Sequence, residues 1–283
     1  MGVISRKHFN MSAFLCSLAS GSLGNALLVS SAKTRVLVDM GVSRRRLLEG
    51  LESAGAEADD IAAILLTHTH TDHLSAAATG FCLARETPLY SSEENLRHLA
   101  KALPHFRKLM AAGLARPLNG EPVSVGDITV EAFDVPHDSP GTCLGFRLTF
   151  GPARHRRAVA VATDLGHMPA DCIDRFLDAD AVVLESNHDP DLLRESSRPP
   201  DLIERIAGPH GHLSNETCAE AVAEIVGRSH PGKVRHVVLS HLSRDCNTPR
   251  LALAAQARLA QHKEHPIRVA AAMQHDVGPR VDL

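Results

Sequence analysis

Apolar, mostly β-branched runs recur at 26–29, 35–38, 61–66, 127–135, 143–150, 157–162, 181–185, 234–239 and 266–271. Each has strand length and is bounded by turn-forming residues. The segment Met11–Leu18 reads as a strand before them. Helical patterns separate several of these runs, so the alternation predicts an α/β domain. Ser91 with Glu94 predicts a capping box before Leu96 and Leu99, and Thr248-Pro249 predicts a helix over 249–262. Ser214 opens another helix, closed by Gly227, with Ala221, Val222, Ile225 and Val226 as its inward stripe. The Pro-, Arg- and Ser-rich segment 189–200 predicts a mobile surface loop rather than a domain boundary. There is no internal repeat and no low-complexity tract. Residues 12–283 read as a single domain. Residues 1–11 read as a disordered extension or a misassigned start, with Met11 a candidate first residue.

With 283 residues, 44% of them hydrophobic, the chain can bury a substantial core. A formal charge of −3 gives no global attraction for nucleic acid, so such a partner requires a local basic patch. Arg44-Arg45-Arg46 and Arg154-His155-Arg156-Arg157 are the candidates, and both read first as a solvated helix face and a hairpin turn. No Trp and one Tyr leave little for stacking on bases. Six scattered cysteines form no C-x-x-C pair, as expected of a reduced, cytoplasmic protein. Arg6 and Lys7 precede an apolar run too short for a convincing signal peptide, and nothing reaches membrane-spanning length.

The densest chemistry is Thr-His-Thr-His-Thr-Asp-His at 67–73, directly after the run 61–66. It holds four candidate metal ligands, His68, His70, Asp72 and His73. The period of two sends His68 and His70 to one side of an extended segment, and Asp72 and His73 follow at a turn. Such spacing can serve two neighbouring divalent ions. Later strands also end in ligand-type residues: His137, Asp164, Glu185 with His188, and His241. In α/β folds functional groups gather at such ends. Asp164 has the chemistry to bridge two cations roughly 3.5–4 Å apart, and a shared water would lose its proton near pH 7 instead of at about 15.7. Neither a G-x-S-x-G elbow nor a P-loop lysine motif is present. His212 and Ser214 stand before a helix, where they suit a phosphate; the alternative is that Ser214 only caps the helix and His212 only fills a loop. His210, His230, His236, His262, His265 and His275 read as surface or packing residues.

The H-x-H-x-D-H pattern of His68, His70, Asp72 and His73 resembles the signature of the metallo-β-lactamase superfamily. Six further blocks resemble its WalJ/YycJ-type branch: Leu18–Asn25, Val38–Gly41, Ala162–Gly166, Glu185–Asp189, Gly211–Asn215 and Ser240–Asp245. The resemblance covers residues 12 to 247. It implies a four-layer αββα sandwich with a binuclear site at one edge of two sheets. It also implies His68, His70 and His137 on one ion, Asp72, His73 and His241 on the other, and Asp164 between them. His212 resembles the extra histidine of the nuclease and phosphodiesterase branches, which assists the leaving group or binds the scissile phosphate, with Glu185 orienting it. His137-Asp138 followed by Ser139-Pro140-Gly141 matches more loosely, and 154–157 and the tail after 262 match nothing. No separate nuclease domain is inserted.

The expected protein is a binuclear metal-dependent hydrolase of the phosphodiesterase or exonuclease type. It acts through a metal-bridging hydroxide on DNA from a 5′ end or on a small phosphodiester. Asp72, His212 and Glu185 are its expected catalytic residues, and His188, Ser214 and Arg244 its expected substrate contacts. For Arg244 a structural salt bridge is the alternative to a phosphate contact. Two zinc ions suit the donor set, and manganese or iron also fits. The partner is DNA or a small phosphodiester, no membrane is expected, and the oligomeric state stays open, a homodimer included. A thioester or lactone hydrolase on the same fold is the alternative activity, and a non-enzymatic interaction protein is the third reading.

Overall fold

A computed structural model describes residues 12–257 and 266–283. The expectations for residues 1–11, His262, His265 and the end of the 249–262 helix therefore lie outside the described residues. The first sheet runs β14-β1-β2-β3-β4-β5-β6, built from β1 (Phe14–Ala19), β2 (Ala26–Ser30), β3 (Arg35–Val38), β4 (Ile61–Leu65), β5 (Leu89–Ser92), β6 (Ala115–Leu118) and β14 (Arg280–Asp282). The second runs β13-β12-β11-β10-β9-β8-β7, from β7 (Val123–Val125), β8 (Ile128–Asp134), β9 (Leu144–Phe150), β10 (Arg157–Ala162), β11 (Ala181–Glu185), β12 (His236–Ser240) and β13 (Arg268–Ala271). In the first sheet, β14 through β3 pair antiparallel and β3 through β6 pair parallel. The second repeats this plan, antiparallel from β7 to β10 and parallel from β10 to β13.

Strand alternation explains the layers. Leu15, Val29, Val36 and Leu65 face Phe146, Leu148, Val161 and Val183 in one apolar layer between the sheets. Their neighbours Phe14, Cys16, Leu28, Leu37 and Ile64 point the other way, into a layer shared with helices. Those helices are α1 (Arg44–Ser53), α2 (Ala76–Arg85), α3 (Glu93–Ala102) and α4 (Phe106–Ala111). On the far side α5 (Ala170–Phe176), α8 (Asn215–Arg228) and α9 (Pro249–Ala255) cover the second sheet through Ile173, Phe176, Val222, Ile225 and Ala252. The result is the four-layer αββα sandwich. No helix among the described residues is long and apolar enough to cross a membrane.

Local chemistry sets the helix ends, with three departures from the sequence reading. Ser214 and Thr248 cap α8 and α9, accepting from Thr217 N and Leu251 N at 3.1 and 3.2 Å. The cap of α3 is Ser92, which accepts from Asn95 N at 3.1 Å, because Ser91 still belongs to β5 and donates its hydroxyl to Leu66 O. Gly227 lies inside α8, which ends one residue later at Arg228. Segment 189–200 is not a plain loop: Asp189 caps the short α6 (Pro190–Arg194), and α7 (Pro200–Ala207) opens at its end. Pro at the first turn of both helices is pre-set for that position.

Candidate metal centre

The loop after β4 is held from three sides. Thr67 donates to Asp39 Oδ1 from its backbone nitrogen at 2.8 Å and from its hydroxyl at 3.0 Å. Asn25 N donates to Asp72 O at 2.7 Å, and Met40 N donates to His73 O at 2.9 Å. A Cβ on Gly41 would fall 1.6 Å from the Asp72 carbonyl oxygen, so only glycine lets these backbones touch. Opposite, the ends of β8, β10, β11 and β12 deliver His137, Asp164, Glu185 and His241 to the same edge.

Four overlapping groups of donors form there, and Asp164 belongs to two of them. His68, His70 and His137 make the first: His68 Nε2 lies 3.0 Å from His70 Nδ1, and the His137 ring centroid is 5.2 Å from both. Asp72, His73 and His241 make the second, with Asp72 Oδ2 lying 3.6 Å from His73 Nε2 and 3.3 Å from His241 Nε2. Asp164 reaches across both, placing Oδ2 3.0 Å from His73 Nε2 and Oδ1 4.0 Å from His137 Nε2. All seven residues that the sequence singled out as ligands thus stand together, His137 included.

The donors suit a divalent cation better than they suit one another. His137 Nε2 and Asp164 Oδ2 are buried without a hydrogen-bond partner, although His73 Nε2 approaches that oxygen closely. Close approach without alignment is expected where lone pairs converge on a common point. Tautomers agree with this. His73, His137 and His241 each turn Nδ1 to an acceptor, respectively Asp39 Oδ2 at 2.7 Å, Gly211 O at 3.0 Å and Glu185 Oε1 at 2.8 Å. A proton kept on Nδ1 leaves Nε2 as the nitrogen turned into the site, and it is the one that would bind a metal once it gives up any proton held there.

Charge is balanced poorly by protons alone. Burial and neighbouring His73 hold His68 well below the usual imidazole range, and burial with His137 lowers His70. Burial would also lower His241, but Asp164, Asp72 and Glu185 outweigh it and push it up to about 10. For Asp164, burial is outweighed by His241 and His73, which hold the carboxyl far below its ordinary value. So the carboxylates stay ionised and attract cations, while His68 and His70 stay neutral and offer lone pairs.

Beside these groups, Glu185 is fully enclosed and grips two rings with one oxygen. Its Oε1 lies 2.8 Å from both His212 Nδ1 and His241 Nδ1, while Oε2 accepts from Leu165 N at 3.0 Å and Leu213 N at 3.2 Å. Burial raises its pKa, but His212 outweighs this and brings Glu185 down to about 2. In return, Glu185 raises His212 against the effect of burial. Nε2 of His212 makes no hydrogen bond among the described residues.

Sequence reasoning assigned no role to Asp39, which orients Thr67 and His73, or to Asn25, whose Nδ2 lies 3.0 Å from His73 Nε2. Both stand in blocks that resembled the branch, so the signal was position in a motif rather than chemistry. A second sign is conformational. Asp39, Asp164 and His241 have φ of 62°, 61° and 53°, a left-handed backbone that costs roughly 1–3 kcal/mol at a residue with a side chain. Strain at three positions of one site marks a geometry that the surrounding packing enforces.

The three expected substrate contacts fare differently. Ser214 caps α8 with its hydroxyl, which accepts from Thr217 N. Arg244 is exposed, with Nε 3.4 Å from Asp245 Oδ1 in a pair that lies mostly in water and holds the guanidinium only weakly. His188 is buried, pairs its backbone with Ser214, and keeps Nδ1 without a partner. Burial lowers His188 to about 4. An unfolded chain binds that proton near pH 6.5 and the folded one only near 4, so stability is lost as pH falls through this window. Between pH 7 and 5 the loss from this group is about 2 kcal/mol. Urea unfolding at the two pH values should therefore show a smaller acid loss for His188→Gln than for the wild type.

Comparison with known proteins agrees with this geometry. The Beta-lactamase superfamily domain family matches residues 34–242. The exodeoxyribonuclease YycJ of Bacillus anthracis is 30% identical over 269 residues, covering 93% of this chain and 95% of that protein. The exodeoxyribonuclease WalJ of Streptococcus pneumoniae is 31% identical over 243 residues, 83% of each chain. Among solved structures, Zn²⁺-bound PqqB from Methylobacterium extorquens superposes with a TM-score of 0.66 at 18% identity, covering 95% of this chain and 100% of that one. With a family match over most of its length and relatives aligned nearly end to end, this chain belongs to the metallo-β-lactamase superfamily, in the branch of YycJ and WalJ, and is a metal-dependent hydrolase.

Proposed function

We propose that the protein is a binuclear phosphodiesterase that cleaves DNA from a 5′ end. The observation that carries this reading is the convergence of seven ligand-type side chains beside a histidine held by its own carboxylate. His68, His70 and His137 would hold one divalent ion, Asp72, His73 and His241 the other, and Asp164 both. Zinc suits this nitrogen-rich set, with manganese and iron next. When bound, the ions supply an ionised water near neutral pH and neutralise charge developing on phosphorus. The protein does the rest. Asp39 and Glu185 fix the rings of His73 and His241, so the ligand lone pairs are aimed before substrate arrives.

His212, kept protonated by Glu185, would donate from Nε2 to the departing oxygen. A thioester expels a thiolate, which needs no such donor held by a buried carboxylate, and this favours the phosphodiester over that alternative. Relatives named exodeoxyribonucleases support DNA over a small phosphodiester. Pairing of β14 with β1 supports one domain over 12–283, and six unpaired buried cysteines support a cytoplasmic setting.

Protein purified without chelator should carry two divalent ions per chain by elemental analysis and hydrolyse DNA and bis(p-nitrophenyl) phosphate. Treatment with chelator should abolish turnover and lower the melting temperature, since a ligand bound only by the folded state stabilises it. Turnover of thioesters or lactones with none of phosphodiesters would overturn the assignment.

A further inference from the structure

One basic feature of the sequence has no part in the chemistry above: Arg44-Arg45-Arg46, the first turn of α1. Its place in the fold gives it a use. Asp39 holds His73, Met40 pairs with the loop at His73 and Ser75, and Gly41 lies against the Asp72 carbonyl. The chain then passes through Val42 and the N-cap Ser43 directly into the three arginines. Three residues of extended chain span at most about 10 Å, so the Arg44 backbone stays within that distance of Gly41. The triplet therefore borders the ligand loop.

Nothing in α1 accounts for these charges. The first turn has no acidic residue, and cations there oppose the helix dipole. Arg44 and Arg45 are exposed; Arg45 Nε only reaches Glu49 Oε1 at 3.7 Å, with both side chains mostly in water, where such a pair contributes little. Arg44 makes no ion pair among the described residues. Arg46 is half-buried, and its Nη2 atom is enclosed without a hydrogen-bond partner. Three guanidinium groups with no close ion pair among the described residues, next to a centre that on the proposed reading handles phosphate, stand against a net charge of −3 that would repel a polyanion elsewhere.

We propose that Arg44, Arg45 and Arg46 bind the phosphates flanking the scissile bond, which makes an extended DNA strand the preferred substrate over a small phosphodiester. The inference rests on the phosphodiesterase reading. A small phosphodiester has one phosphate, which the metal centre itself would engage. Only a strand carries further phosphates for the arginines, and contacts of this kind position the strand without reading its sequence.

The test is equilibrium binding of a fluorescent single-stranded DNA with hydrolysis-resistant phosphorothioate linkages, followed by anisotropy over a series of salt concentrations. The metal-loaded protein is compared with its Arg44→Ala/Arg45→Ala and Arg44→Lys/Arg45→Lys forms. Loss of two phosphate contacts should weaken binding about tenfold and flatten the log–log salt slope by about 1.4, near 0.7 per contact on a single strand. The lysine form should retain most of the affinity and slope, and equal melting temperatures would show that the folds match. The inference falls if wild-type protein does not bind the strand, if the alanine form binds with unchanged affinity and slope, or if the lysine form loses as much as the alanine form. Hydrolysis of bis(p-nitrophenyl) phosphate by wild-type protein reads the phosphodiesterase assignment separately, so the two can fail independently.

Discussion

Asp164→Ala should lower kcat on any phosphodiester by at least about 10³-fold and reduce the metal content from two ions to at most one. The expected size follows from position, because among the described residues Asp164 is the one carboxylate within 4.0 Å of ring nitrogens in both candidate donor groups. Alanine also sits poorly at a φ of 61°. Asp164→Asn is the companion variant, since asparagine tolerates this backbone and keeps the shape while removing the charge. Both variants should fold and both should be inactive. Turnover retained by either, in a preparation whose metal content has been measured, would contradict the binuclear assignment.

His212→Gln should show an effect that depends on the leaving group. On DNA, whose departing sugar oxygen needs a proton, kcat should fall by about 10²–10⁴-fold. On bis(p-nitrophenyl) phosphate, whose phenol is acidic enough to leave as the anion, the loss should be about tenfold or less. An equal loss on both substrates would move His212 from proton donor to structural support. The pH profile gives a second reading. Glu185 raises the His212 pKa, so the donor stays protonated above its ordinary value of about 6.5 and the alkaline limb of kcat lies above that pH. Glu185→Gln removes the stabilising charge, and the limb should move down.

Most of the metal centre was legible because its chemistry is local. Five of the seven ligand-type residues, His68, His70, His137, Asp164 and His241, come within a few residues of the end of a strand whose apolar run can be read directly. The role of Asp39 and the second contact of Glu185, to His241, were not legible, because they depend on pairings distant in sequence. Asp39 meets His73 across 34 positions and Glu185 meets His241 across 56, and neither spacing has a local signature. The missed strands β5, β6, β7 and β14 are only three or four residues long, too short for a period of two to declare itself. β5 runs directly into α3, so a one-residue shift moved the cap from Ser92 to Ser91. Segment 189–200 misled through composition, since its prolines start helices instead of breaking them.

The single oxygen of Glu185 that contacts both His212 and His241 ties two properties that an engineer would want to adjust separately. Any edit that retunes the donor for a less reluctant product would also loosen a ring that, on the proposed reading, holds a cation. Variants selected for new substrates should therefore change metal requirement at the same time, and adaptation at this position proceeds by paired substitutions rather than single ones.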